Sequence, residues 1–290
     1  MAVVDYLSPT SVADAVKCLA GSPHPAKVLA GGTDLIIQSK GKYDSPLIVV
    51  DVKKIGSMVS AELTDDALIL GPSMPCAELT AREDIKSVFP GLVEAAFLIG
   101  STQVQGRASV GGNLCNASPA GDTIPALIAN AAQCVIAGPN GERTVPVESF
   151  VTGVGKNCMT QGELLVSIRI PRPAAGSSDA YLRFIPRTEM DIAVAGAGVA
   201  VTLDSTGKCT AARVAIGAVA PTALLVPEAA AALVGSTVDD ASLAAAAAAA
   251  TAASNPITDR RGTAEYRRHV VGVLVKRAAA IAAQRARSVK

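Results

Sequence analysis

The sequence predicts an α+β protein of three units, and three observations lead to this prediction. Short helical and β-patterned stretches alternate through the first 57 residues. Glycine and small polar residues dominate positions 101–122, and a β-hairpin followed by helices closes the chain. With 290 residues, 50% of them hydrophobic, the chain has enough material for more than one buried core.

The first predicted unit, residues 1–57, is a small α/β body in which two helices alternate with two strands. Ser8-Pro9-Thr10 supplies capping residues ahead of the first helix, and Gly21 follows that helix. The predicted elements are helix 11–20, strand 27–30, helix 34–40 and strand 47–52.

The second predicted unit, residues 58–175, surrounds the glycine-rich segment with strands and helices. Pro139-Asn140-Gly141 predicts a hairpin turn, and Pro171 closes the last strand. The linker to the third unit is predicted at residues 174–178. The predicted strands are 67–70, 134–137 and 163–170, and the predicted helices are 75–82, 91–100 and 124–131.

The third predicted unit, residues 176–290, is a small antiparallel sheet covered by helices. Strands 194–203 and 211–220 are joined by Asp204-Ser205-Thr206-Gly207, a turn that predicts an antiparallel hairpin. Everything from Pro227 onward is predicted to be helical. The last helix has an apolar stripe formed by Tyr266, Val270, Val273, Leu274 and Ile281.

Charge and cysteine spacing exclude several classes of protein. The net charge is +1, the Lys and Arg residues are mostly dispersed, and Trp is absent, which argues against a nucleic-acid-binding protein. The six cysteines form no C-x-x-C pair, so we expect free thiols and no metal site in this chain. No secretory signal and no apolar run of about 20 residues are visible, which predicts a cytoplasmic protein.

The first candidate site is a strand that runs into a Gly-Gly turn and then a helix. Glycines allow positive φ angles and let a ligand approach the main-chain N–H groups, an arrangement that suits a pyrophosphate. The alternative is an ordinary strand–turn–helix corner with Asp34 as the helix N-cap. The residues of this segment are Leu29, Ala30, Gly31, Gly32, Thr33, Asp34 and Leu35.

The second candidate site is the segment 101–122, interpreted as a functional loop of 22 residues; the alternative is an unusual loop with a purely structural role. The two Gly-Gly pairs are about 80 residues apart, so a single long ligand between two subdomains accounts for both. Neither pair belongs to a G-x-G-x-x-G fingerprint, and Gly196-Ala197-Gly198 lies within a β-patterned run. The site residues predicted in this segment are Ser109, Val110, Gly111, Gly112, Asn113, Asn116 and Asp122.

Acid–base and nucleophilic chemistry has few candidates. The chain has two histidines, His24 and His269, and neither lies near a G-x-S-x-G motif or an acidic partner. No catalytic residue is therefore predicted. The pattern is typical of a protein that holds a reactive cofactor, which supplies the chemistry.

These motifs together resemble the FAD-binding medium subunits of the carbon monoxide dehydrogenase and xanthine dehydrogenase family. The resemblance extends over nearly the whole chain. The matching segments are Ala30–Asp34 (AGGTD), Gln103–Leu114 (QVQGRASVGGNL), Ala117–Asp122 (ASPAGD), Glu163–Pro171 (ELLVSIRIP), Arg187–Ala193 (RTEMDIA) and Ala264–Arg267 (AEYR).

The resemblance implies a two-subdomain FAD-binding fold of the vanillyl-alcohol oxidase (PCMH) type, with a C-terminal α+β domain that has a small antiparallel sheet and helices. It implies that residues 29–35 hold the FAD pyrophosphate and that the second segment lines the opposite side. Asp122 would bind farther along the cofactor. Leu165 would make a backbone contact on the flavin side, and Arg183 and Ile192 would lie near the flavin ring.

Three sites, four residues in all, depart from the family pattern. Gln105-Gly106 replaces the common Arg-Asn, so a salt link made there in relatives is in doubt. Arg183 stands where some relatives have a lysine, whose ammonium is not equivalent to a planar guanidinium. Ile99 stands where some relatives have a ring-stacking phenylalanine, so that contact is lost or altered.

By resemblance, the chain is the electron-transfer subunit of a molybdenum hydroxylase complex. Electrons from [2Fe–2S] clusters of a small partner subunit would pass through FAD to an external acceptor, and a large partner subunit would carry molybdopterin. The expected assembly is a dimer of heterotrimers. The alternatives are a stand-alone flavoprotein oxidase or reductase of the same fold and a non-enzymatic assembly scaffold. The sequence identifies neither the substrate nor the acceptor.

Overall fold

The computed structural model describes residues 4–42 and 47–288, and the first unit in it is built on a parallel sheet. The strand order is β1-β3-β2, with both neighbouring pairs parallel. The first helix begins after Ser11, whose side chain accepts a hydrogen bond from the N–H of Asp14. The elements are β1 (Val4–Leu7), α1 (Val12–Ala20), β2 (Ala26–Leu29), α2 (Leu35–Lys42) and β3 (Leu47–Asp51).

Helix α1 packs on one face of this sheet and connects it to the second unit. Its buried residues Ala15, Val16 and Leu19 contact Ile48 and Val50 of β3. The same apolar cluster contains Ala137 and Leu164 of the second unit. Side chains of the sheet and of α2, among them Tyr6, Val49 and Ile36, line a shallow cavity.

The second unit is a five-stranded antiparallel sheet with a layer of short helices, and the strand order is β4-β5-β10-β6-β7. A 3-10 helix at Gly56–Val59 precedes it, and β8 and β9 form a separate small hairpin. The elements are β4 (Ala61–Leu63), β5 (Ala67–Leu70), α3 (Cys76–Thr80), α4 (Glu83–Val88), α5 (Pro90–Phe97), α6 (Thr102–Gln105), α7 (Val110–Asn116), α8 (Thr123–Ala129), β6 (Gln133–Gly138), β7 (Gly141–Pro146), α9 (Val147–Phe150), β8 (Val151–Gly153), β9 (Lys156–Asn157) and β10 (Leu164–Pro171).

The third unit is a four-stranded antiparallel sheet, order β11-β12-β13-β14, between helices of two units. Helices α10 and α12 pack against this sheet, and α8 of the second unit also lies against β12 and β13. Gly198 lets α8 approach, because a Cβ there would lie 2.5 Å from the carbonyl oxygen of Pro125. The elements are β11 (Ser177–Phe184), β12 (Ala195–Leu203), β13 (Cys209–Gly217), β14 (Leu224–Leu225), α10 (Pro227–Leu233), α11 (Asp240–Ala253) and α12 (Ala264–Ser288).

Three sequence interpretations are wrong in detail. The segment 101–122 is not a continuous loop, because it contains α6 and α7. The chain after Pro227 is not helical throughout, because residues 254–263 connect α11 to α12 without helix. In α12 the buried face only partly coincides with the predicted stripe: Val270 and Leu274 are buried, but the other stripe residues are not. Tyr266 is 43% exposed, whereas Arg267 is buried and donates to the carbonyl oxygen of Val194 (2.8 Å).

Candidate functional site

The first glycine segment, residues 29–35, lies directly against the second. A Cβ atom built on Gly31 would lie 1.8 Å from the carbonyl oxygen of Arg107 and 3.1 Å from the nitrogen of Ala108. Only glycine permits this approach, because a side chain would overlap the opposing backbone. Gly32 has a φ of 82°, a conformation that other residues rarely adopt. The turn therefore requires both glycines, for two different reasons.

The same turn presents a row of main-chain donors. Among the hydrogen bonds made by residues 4–42 and 47–288, none starts from the N–H groups of Gly31, Gly32, Thr33 or Asp34. Gly31, Gly32 and Thr33 are half-buried and Asp34 is exposed. Consecutive N–H groups around a glycine of positive φ form a concave site that binds anions. The turn therefore has the donors that a pyrophosphate needs.

An apolar surface adjoins these donors. Leu29 and Leu35, which flank the turn, line a shallow cavity between α2 and the sheet, together with Tyr6, Ile36 and Val49. Main-chain anion donors beside an apolar cavity suit a ligand that joins a ring system to a phosphate group.

The second glycine segment is a capped helix. The Ser109 hydroxyl accepts a hydrogen bond from the N–H of Gly112 (3.1 Å), as expected for an N-cap. Val110 is buried in the core. A Cβ on Gly111 would lie 2.2 Å from Cβ of Pro72, so this glycine allows α7 to pack against the preceding chain. The residues predicted to contact the cofactor here thus also have structural partners.

Two amides of α7 fix this helix to neighbouring helices. Oδ1 of Asn113 accepts from the hydroxyl of Thr123 (2.8 Å), which fixes the start of α8. Oδ1 of Asn116 accepts from Nε2 of Gln38 (3.0 Å), 78 positions away in the sequence. The second of these bonds joins α2 of the first unit to α7 of the second.

Asp122 is at the centre of a buried polar cluster. Its Oδ1 accepts from the hydroxyl of Tyr181 (2.9 Å), and its Oδ2 pairs with Nη1 of Arg183 (2.6 Å). The Asp122 and Arg183 side chains are 10% and 6% exposed. Burial raises the pKa of the Asp122 carboxyl, whereas Arg183 and Tyr181 act in the opposite direction. Asp122 therefore has two protein partners that the sequence does not predict.

Two other predicted residues lie outside these contacts. Leu165 is buried in β10, and the pairing with β6 shifts register between Leu165 and Ser167. Such a bulge changes the direction of backbone groups and is frequent beside functional sites. Ile192 is 53% exposed on the loop between β11 and β12. No hydrogen bond or ion pair in the described chain connects either residue to a glycine segment.

Gln105 and Ile99, two of the residues that depart from the family pattern, both have identifiable contacts. Gln105 is buried, and its Nε2 donates to the carbonyl oxygen of Phe97, which ties α6 to the end of α5. Ile99 is half-buried against the main core. Gln105 thus has a structural role at the position where the resemblance leads one to expect arginine.

Comparisons with known proteins identify the family. The family described as FAD binding domain in molybdopterin dehydrogenase matches residues 2–173, and the CO dehydrogenase flavoprotein C-terminal domain matches residues 180–282. The carbon monoxide dehydrogenase medium chain of Afipia carboxidovorans is 35% identical over 289 residues, which cover 98% of each chain. This chain belongs to the FAD-binding medium subunits of the carbon monoxide dehydrogenase and xanthine dehydrogenase family.

Two further relatives of this flavoprotein family support the assignment. The 6-hydroxypseudooxynicotine dehydrogenase complex subunit alpha of Paenarthrobacter nicotinovorans is 32% identical, covering 99% of this chain and 96% of the relative. The structure of reconstituted CO dehydrogenase from Oligotropha carboxidovorans superimposes with a TM-score of 0.92 at 33% identity, covering 97% and 98% of the two chains. The predicted family, fold class, oxidoreductase function and FAD cofactor are confirmed.

Several residues that shape this FAD-binding medium subunit were not predicted from its sequence. Lys53 donates from Nζ to the carbonyl oxygen of Ala30 in the first segment (3.0 Å). Gln38 connects α2 to α7, and Tyr181 binds Asp122. Each contact depends on tertiary structure, and no local motif indicates it.

Further features of the described part of this medium subunit concern metal binding, disulfides and membrane-spanning helices. Within the part of the chain that the structure describes, no three His, Cys, Asp or Glu side chains converge as a metal site. All six cysteines are free thiols. None of the helices in the described ranges is both long and apolar enough to cross a membrane.

Proposed function

We propose that the chain holds FAD between its two glycine segments. The pyrophosphate would bind the N–H groups of the turn formed by Leu29, Ala30, Gly31, Gly32, Thr33, Asp34 and Leu35. The opposite wall would be formed by Ser109, Val110, Gly111, Gly112, Asn113 and Asn116. Asp122, Leu165, Arg183 and Ile192 would lie toward the flavin.

The observation that carries this proposal is the approach of the two segments at Gly31. The carbonyl of Arg107 lies where a Cβ of Gly31 would be, beside four N–H groups that have no acceptor among the described residues. Consecutive N–H groups without acceptors, beside a glycine of positive φ, are the arrangement in which main-chain donors bind an anion. The residues present therefore fit an FAD pyrophosphate.

Bound FAD supplies the redox chemistry, and the protein binds, orients and shields it. The Asp122–Arg183 pair contributes a buried cation and a carboxylate whose charges compensate each other. The hydroxyl of Tyr181 holds the carboxylate in place. We infer that this cluster sets the polarity of the flavin end of the site without proton transfer.

Membership of the family implies large and small partner subunits. We propose that the large subunit carries molybdopterin, that the small one carries [2Fe–2S] clusters, and that the complex is a cytoplasmic dimer of heterotrimers. We also propose subdomains at residues 1–57 and 58–175 and a C-terminal domain at 176–290. The relatives are named for carbon monoxide and for 6-hydroxypseudooxynicotine, so the family alone does not define the substrate.

Native purification of the tagged chain from its own cells tests the proposal. We expect a yellow complex that releases FAD on denaturation and has the mass of a dimer of heterotrimers. Molybdenum should be found in a larger partner chain and iron in a smaller one. A colourless chain that does not take up added FAD would contradict FAD binding. A chain that turns over a substrate alone would contradict the subunit role and favour a stand-alone flavoenzyme.

A further inference from the structure

Lys53 makes a contact with the first glycine segment that no motif indicates. Its Nζ lies 3.0 Å from the carbonyl oxygen of Ala30 and 2.7 Å from Oδ1 of Asp51. The hydroxyl of Tyr6 donates to the other oxygen of Asp51. The side chains of Lys53 and Asp51 are 27% and 10% exposed, so the lysine is held by two acceptors in a partly desolvated place.

The contact with Lys53 also fixes the orientation of the peptide between Ala30 and Gly31. The carbonyl of Ala30 and the N–H of Gly31 belong to one planar trans peptide, so the two groups point in opposite directions. A carbonyl held by Lys53 therefore directs the Gly31 N–H to the opposite side, where no acceptor is found within the described ranges. If the peptide instead turned its carbonyl toward the donor side of the turn, the carbonyl dipole would oppose a bound anion.

We propose that Lys53 is a positioning residue for the cofactor: by holding the Ala30 carbonyl it aligns the N–H of Gly31, the first donor of the turn, for a pyrophosphate. The inference rests on the proposed function of this turn. Asp51 completes the arrangement, since it orients the ammonium and leaves the local charge balanced. Burial raises the pKa of Asp51, but hydrogen bonds from Lys53 and Tyr6 outweigh it and lower the pKa below its usual value.

The test compares variants of the full chain from which FAD has been removed. Lys53→Met alone would leave the Asp51 carboxylate unpaired, so the decisive comparison is Asp51→Asn against Asp51→Asn/Lys53→Met. Both lack the carboxylate, and only the first keeps the hydrogen bond to Ala30. Lys53→Arg retains a cationic donor. Lys54→Met, at the exposed neighbouring residue, is the matched control.

Affinity for FAD is measured by fluorescence titration and affinity for ADP, which contains the pyrophosphate without the flavin, by calorimetry. We expect the double variant to bind both ligands at least about tenfold more weakly than Asp51→Asn, because a hydrogen bond from a charged donor is lost. Lys53→Arg should remain within about threefold of the wild type, and Lys54→Met should equal it. The urea midpoints of the two FAD-free Asp51→Asn proteins should agree, which separates positioning from a general loss of stability.

Equal affinities of the double variant and Asp51→Asn would overturn the role of Lys53 while FAD binding by the wild type stands. Failure of the wild type and of Lys54→Met to bind FAD and ADP would overturn the proposed function and this inference together. A fall in FAD affinity with unchanged ADP affinity would also contradict the inference, because the effect would then lie outside the pyrophosphate turn.

Discussion

Gly31→Ala is the substitution most strongly constrained by the structure. The new Cβ would lie 1.8 Å from the carbonyl oxygen of Arg107 and 2.5 Å from its carbon, and both are backbone atoms. Ordinary van der Waals contact begins at 3.4 Å, so the two segments must separate by roughly 1.6 Å. Overpacking of this kind costs about 1–3 kcal/mol, which is about a 5- to 150-fold loss of affinity when binding requires the closed arrangement. Because no side chain can move aside, we expect a loss near 100-fold.

The assay is a fluorescence titration of FAD into the FAD-free protein. Gly106→Ala is the matched control: it lies beside Arg107, and its Cβ would have one ordinary contact, 3.6 Å from the carbonyl oxygen of Gln103. We expect this control to bind FAD as the wild type does. If Gly31→Ala binds within about threefold of the wild type, the two segments do not form one binding site, and the reasoning fails.

Three further predictions concern buried groups. Asp122→Asn leaves the buried guanidinium of Arg183 without its carboxylate, so urea unfolding should show that the free energy of unfolding falls by about 3–5 kcal/mol. The double variant Asp122→Asn/Arg183→Met should recover part of this loss, because it no longer buries an unpaired charge. Burial raises the pKa of Asp179 to about 6, so between about pH 4 and 6 the folded state keeps a proton that the unfolded state has lost. The free energy of unfolding should therefore fall by up to about 3 kcal/mol as the pH rises from about 4 to 6. The Asp179→Asn variant should lack this decline. Burial raises the pKa of Cys76 to about 12, so this thiol should not react with iodoacetamide in the native protein. Peptide mass mapping should find the alkylated residue at the partly exposed Cys18 in the native protein, and at Cys76 only after unfolding.

Elements encoded by neighbouring residues could be predicted from the sequence. The Asp204–Gly207 turn predicts the β12–β13 hairpin, and Pro139-Asn140-Gly141 predicts the β6–β7 hairpin, because turn chemistry is local. The central position of β10, between β5 and β6, could not be predicted, since it depends on pairing across about 30 and 100 positions.

The segment 101–122 shows why small polar residues are ambiguous. Its glycines and serines indicate a loop, yet the Ser109 hydroxyl caps α7, Ser101 precedes α6, and Val104, Val110 and Leu114 pack on the core. Serine favours turns and N-caps for the same reason, namely that its hydroxyl replaces a backbone partner. The apolar spacing after Ser109 was the available signal for α7.

The two glycine segments differ in what they can offer a ligand. In the second, Ser109 already satisfies the N–H groups of Gly112 and Asn113, so α7 has few donors left at its start. In the first, the N–H groups from Gly31 to Asp34 have no acceptor in the residues that the structure describes. Affinity for phosphate should therefore depend on the first segment, whereas the second sets its position by packing against Gly31. Substitutions in the two segments should differ accordingly: those in the first change affinity for ADP and FAD alike, and those in the second act through the approach of the two units.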